Sequence, residues 1–168
     1  MTSVIQFKQI KPGRFQGSAA VNILTGATRK AGNDIRKDFE LTTETWSKKP
    51  KFEVVYNVKP NGPEVLVGTD NEIYRYVNEG TKPHPIFPVR AKALRFQTGY
   101  TAKTVPGGLY SRAGGAFGAT VFRGYVMHPG TEARRFDEII QKTWESKFRR
   151  RMEEAMRKAA KVTGHGKL

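Results

Sequence analysis

Residues able to do acid–base or metal chemistry are few in this chain. Histidine occurs three times, at His84, His128 and His165, and the first two stand beside prolines in turn-like settings. A helical zinc or catalytic pair needs two histidines at i, i+4, and no such spacing exists; HExxH and calcium-loop patterns are absent too. Cysteine is missing altogether. That removes thiol nucleophiles, Cys-based metal sites and any disulfide framework, and leaves the redox compartment open. The glycine-rich stretch in the second half lacks the GxxxxGK[ST] cradle for phosphate, which the terminal GHGKL matches only in fragments. Neither a GxSxG elbow nor a tight carboxylate pair supplies a nucleophile or an acid–base couple. The expectation is a protein with no catalytic residues, no metal and no cofactor, in which His84 and His128 are structural.

Charge is the other chemical resource. The formal net charge is +15, which predicts attraction to something acidic: nucleic acid, an anionic membrane face or an acidic protein. Residues 1–51 hold ten Lys/Arg against four Asp/Glu, residues 52–131 nine against five, and residues 132–168 eleven against six. Counted this way the excess runs along the whole chain, and no detachable basic tail explains it. No recognised nucleic-acid-binding motif accompanies it. No apolar run is long enough to span a bilayer and the N-terminus lacks a signal-peptide core, so a soluble protein without membrane contact is expected. At 168 residues with 38% hydrophobic content, the chain can bury one real core but not two comfortable ones.

The elements that must position these groups begin at residues 1–17, which mix basic, polar and Gly/Pro residues and read as an arm or edge segment. From Ser18 onward Ala20, Leu24, Ala27, Ala31, Ile35, Phe39, Thr42 and Trp46 recur at three- and four-residue steps, the signature of one helix face. Gly26 and Gly32 either weaken that helix or mark close packing. Pro50 is expected to stop it, with Lys48, Lys49 and Lys51 at its dipole-favoured end. Phe52–Val58 alternates, KPNGP (59–63) is turn chemistry, and Glu64–Thr69 returns, which predicts a β-hairpin. Asp70 is the expected cap of a short helix carrying Ile73, Tyr74, Tyr76 and Val77 and ending at Gly80. KPHPIFPV (82–89) must be extended and stiff, and a strand is expected near Ala93–Phe96.

Between Gln97 and Ala119 lies a long loop with six glycines. Its Tyr100, Tyr110, Phe117 and Arg112 can stack on bases, or anchor the loop on a neighbouring subunit; the second is the expectation. FRGYVMHPGTEARRF (122–136) reads as a strand end, a hard turn and a helix entry. His128 is held extended by Pro129, Gly130 punctuates, and the Thr131 hydroxyl is placed to cap the coming helix. The last helix is predicted over about Asp137 to Ala160, some 36 Å. Phe136, Ile140, Trp144, Phe148, Met152 and Met156 form its stripe. The Phe148, Met152 and Met156 end is expected to project past the domain and pack on another chain. The fold class is therefore α+β: an antiparallel β-sheet packed against an N-terminal and a long C-terminal α-helix, with a long Gly-rich loop. The single domain covers 18–161, with a flexible tail at 162–168.

Three stretches, IYRYVNEGT (Ile73–Thr81), AKALRF (Ala91–Phe96) and YVMHPGTEARRF (Tyr125–Phe136) leading into the helix, together resemble the small tail-completion or head–tail joining (neck) proteins of long-tailed, siphovirus-type phages. The resemblance covers about residues 18–160. Two departures are the residue before the aromatic, commonly proline in that family but Arg135 here, and the length of the glycine-rich loop. The resemblance implies a structural virion protein forming a ring, six-fold in expectation, at the tail end that meets the head. Its implied partners are sibling copies, connector and tail-tube proteins, and DNA passing through the channel. Assembly would take place in the host cytoplasm. The alternative is a basic nucleic-acid-binding module, motivated by the charge alone.

Overall fold

The computed structural model describes residues 5–8, 17–59 and 62–163. Helix α1 (Ser18–Thr42) buries Ala20, Leu24, Thr28, Ala31, Gly32, Ile35, Phe39 and Thr42, the face its spacing predicts. It ends eight residues before Pro50. The Thr42 and Thr43 hydroxyls bond back to the Phe39 and Glu40 carbonyls at 2.6 and 3.2 Å, local partners that compete with further helical turns. Trp46 and the Lys48, Lys49, Lys51 cluster thus lie beyond the helix, so no dipole argument applies to them.

Strand β1 (Ile5–Lys8) pairs antiparallel with β3 (Gly62–Gly68), which also pairs with β2 (Glu53–Lys59), giving the order β1-β3-β2. The expected arm therefore contributes an edge strand. Residues 1–4 and 9–16, the Pro60–Asn61 tip of the hairpin turn, and 164–168 with His165 lie outside the described residues. Val65 and Val67 are buried against α1. Of the two helical glycines, Gly32 is the contact point: a Cβ there would run into Val65 Cγ2 and come to 2.9 Å from Val54 Cγ1, whereas one on Gly26 would meet nothing.

Helix α3 (Phe136–Val162) runs antiparallel to α1. Trp144 Nε1 donates to Asp38 Oδ2 at 2.6 Å, Arg151 pairs with Asp34 at 3.0 Å, and the Thr28 hydroxyl approaches Met152 Sδ at 3.7 Å. Here the sequence expectation for the helix end fails. Phe148 and Met152 are 6% and 5% exposed and belong to this chain's own core, because α1 is long enough to flank α3 along this stretch. Met156 is half-buried. With helices at both ends of the chain flanking antiparallel strands, the fold is α+β as read.

Short helix α2 (Glu72–Glu79) is capped by Asn71, whose side chain accepts from Tyr74 N at 2.9 Å; the cap is not Asp70. After it come six short strands: β4 (His84–Ile86), β5 (Leu94–Gln97), β6 (Tyr100–Thr101), β7 (Gly115–Ala116), β8 (Thr120–Arg123) and β9 (Val126–His128). They pair in nested fashion as β4-β9, β5-β8 and β6-β7. Together they make one long two-stranded ribbon, so the expected structureless loop over 97–119 is instead its outer half and tip.

Candidate functional site: a basic aromatic ribbon on a buried joint

The ribbon leaves the body at a joint that residues 73–81 and 125–136 build between them. Thr81 and Thr131 exchange both backbone hydrogen bonds, at 2.8 and 3.1 Å. Gly80 (φ 80°) and Gly130 (φ 90°) flank them, and a Cβ on Gly130 would strike the Thr81 carbonyl. Both positions therefore need glycine for conformation and for space. His128 Nδ1 accepts from Gly130 N at 3.0 Å, closing the HPG turn. His84, directly opposite on β4, stacks on it at 5.1 Å between ring centroids and donates to the Lys82 carbonyl. Both histidines stand as structural groups of the ribbon base.

The start of α3 is capped from a distance. Thr131 spends its backbone on Thr81 and does not cap the helix. Instead the buried Asn78 side chain accepts from Phe136 N at 2.7 Å and donates to Asp137 Oδ1 at 3.0 Å. Arg134 N and Arg135 N donate to the carbonyls of Val77 and Asn78. The C-terminal end of α2 thus receives the orphan donors of α3. Arg135 sits in the left-handed region at φ 53°. Proline is locked near −65° and has no N–H, so it would not fit the backbone at this position.

Beneath the joint, Tyr74 is fully buried. It stacks on Phe136 at 5.7 Å and meets Phe52 edge-on at 5.0 Å. Burial, with the charge of Asp137 as a smaller contribution, pushes its phenol pKa upward against a lowering from Thr42. The Tyr74 hydroxyl has no aligned hydrogen-bond partner, and the nearby Thr42 hydroxyl donates to Phe39 O. The joint is thus a packed hub in which the buried Tyr74 hydroxyl is left short.

The far end of the ribbon is also tied down. Arg112 N donates to Lys103 O at 2.8 Å and Arg112 Nε to Ala102 O at 3.2 Å. Thr45 N donates to Ser111 Oγ, Lys103 Nζ reaches Thr45 O at 2.9 Å, and Ser111 N donates to Leu41 O. Arg134, mostly buried, bonds Thr104 Oγ1 at 3.3 Å. A cavity of about 720 Å³ lies between the ribbon and the body, lined in part by Trp46, Ile73, Tyr100, Lys103, His128 and Arg134.

Of the residues expected to meet a partner, Tyr100, Tyr110 and Phe117 are 70–76% exposed, while the Arg112 guanidinium is partly committed to holding the tip. Sequence reasoning misses others on the same ribbon. Phe87 and Tyr125 stack across it at 6.0 Å, and Phe122, Met127 and Val89 stand in solvent. The signal that could have found them is one of charge. Residues 80–131 contain seven Lys/Arg and no Asp or Glu, whereas residues 52–79 contain five acids and two bases. Counting 52–131 as one block averages this contrast away. Among the described residues no three His, Asp or Glu gather where they could hold a metal ion, and no helix is long and apolar enough to cross a membrane. Comparison with known proteins gives no match, whether to a family model, a curated protein or a solved structure.

Proposed function

We propose that this chain is a structural virion protein of a tailed phage, without catalytic activity or a cofactor, forming a ring at the head–tail interface that completes the tail or joins it to the head. The observation that carries this reading is the convergence of the outer two resemblance-bearing stretches, Ile73–Thr81 and Tyr125–Phe136, on one buried joint. Their co-occurrence thus has a structural cause, and the part they hold out is a doubly tethered ribbon with exposed aromatics. Large exposed apolar surface of this sort marks a protein that completes its burial by assembly. The partners in this reading are sibling copies and neck, connector or tail-tube proteins, and the finished protein resides in the virion. Particles made without it are expected to show separate heads and tails by electron microscopy. Normally joined virions in that knockout would remove the proposal.

A further inference from the structure

Protein interfaces are enriched in Tyr, Phe, Met and Arg and poor in Asp and Glu. The ribbon has that composition: its exposed aromatics are joined by Met127 and by Arg90, Arg95, Arg112 and Arg123, and carboxylates are absent from 80–131. Arg95 lies directly across from Phe122, and Leu94 from Arg123. Such a surface has no internal counter-charge, so it calls for an acidic partner face with apolar content.

The same chain carries one. On β2 and β3, Val55 and Leu66 are paired side by side on the opposite sheet face from Val54, Val65 and Val67. With Glu53 and Asp70 they line a shallow depression of about 130 Å³. Helix α2 begins two residues after Asp70 and carries Glu72, exposed Tyr76 and Glu79 on one side by their four- and seven-residue spacing. The local cations are weakly engaged, Lys51 with Glu53 at 3.9 Å and Arg75 with Glu72 at 4.0 Å. Among the described residues, Asp70 and Glu79 hold no ion pair.

We infer that the ribbon of one copy docks on the β2–β3 and α2 face of the next copy through the ribbon face that carries Arg95 and Phe122, placing Arg95 against the carboxylates around Asp70 and Glu72. Ribbon and acceptor are different patches of one chain, so the contact is head-to-tail and repeats into a closed ring or a filament. The tethers at both ends of the ribbon fix its shape before contact, which lowers the ordering cost of association. A single nucleic-acid strand would also meet arginines and aromatics here, but it leaves the apolar acidic face unexplained. The inference rests on the ring reading and names the surfaces that close it.

The test is sedimentation velocity of the full chain over a concentration series at low and high salt. Wild type is expected to associate, more tightly at low salt. Arg95→Glu, or Asp70→Arg with Glu72→Arg, is expected to weaken association at least about tenfold. The chain bearing all three changes is expected to recover it. Matching thermal melts show that each variant is folded; where the reversed ribbon melts differently, the neutral Arg95→Gln takes its place. Association unmoved by either reversal overturns the contact while leaving the ring reading to the knockout particles. A wild-type chain that stays monomeric throughout overturns it as well. So does a ribbon reversal that abolishes retention on single-stranded DNA and leaves association intact, which would assign the ribbon to nucleic acid.

Discussion

The joint and the ribbon meet at Thr81 and Thr131, yet one is finished and the other is not. In the joint, the Asn78 side chain bonds both Phe136 N and Asp137, two glycines sit where no other residue fits, and four aromatic rings surround Tyr74. Along the ribbon, aromatics and arginines face water and the carboxylates that would balance them are elsewhere in the chain. Stability is concentrated in the first region, and the proposed association surface lies in the second. Substitutions should therefore separate the two cleanly.

The largest expected effect is at the joint. Phe136→Ala removes a fully buried ring stacked on Tyr74 and is expected to lower stability by about 3–5 kcal/mol in denaturant unfolding. Arg135→Pro comes next, at about 3 kcal/mol, because the ring cannot adopt a positive φ and loses the N–H that meets Asn78 O. If that variant melts like wild type, the left-handed start of α3 is wrong. Asn78→Ala, which strands Phe136 N, is expected to cost about 2 kcal/mol.

Much of the body can be read from residue spacing, since Ala20 to Thr42 and Phe136 to Met152 repeat with the period of a helix and bury the face that period selects. What spacing misses is partnership at long range. Nothing around Asn78 announces that it caps a helix starting 58 residues later, and a stripe ending in Met152 looks the same whether it meets α1 or another chain. The ribbon is hidden for a different reason. Glycine and proline punctuation signals loops locally, whereas the nested pairing of 84–101 with 115–128 is decided by cross-strand contacts and by the docking of the tip. The charge contrast is legible in the sequence, but only in a window drawn at Gly80.

Smaller effects sharpen the contrast further. Tyr74→Phe removes a buried hydroxyl without an aligned partner and is expected to be neutral or to stabilise by up to about 1 kcal/mol. It also bears on pH. Because burial raises this phenol in the folded protein, its contribution is complete below the ordinary tyrosine value of about 10 and is lost as pH rises beyond it. Unfolding measured across that alkaline range should show a shallower decline in the Phe variant. An unchanged slope would mean the Tyr74 phenol is not protected. At the bottom of the scale, Phe117→Ala on the ribbon is expected to shift unfolding by no more than about 0.5 kcal/mol. A loss of several kcal/mol there would mean that the ribbon belongs to the core after all.

The fastening of the ribbon at both ends has a consequence for how the protein withstands damage. Val89 stands almost wholly in solvent on the stretch between β4 and β5, an inviting place for a protease. A strap buckled only at its root would swing free once cut. Here the severed ends stay moored, one through the threonine bridge and the other through Leu41 and Thr45, so the nicked chain should hold its outline.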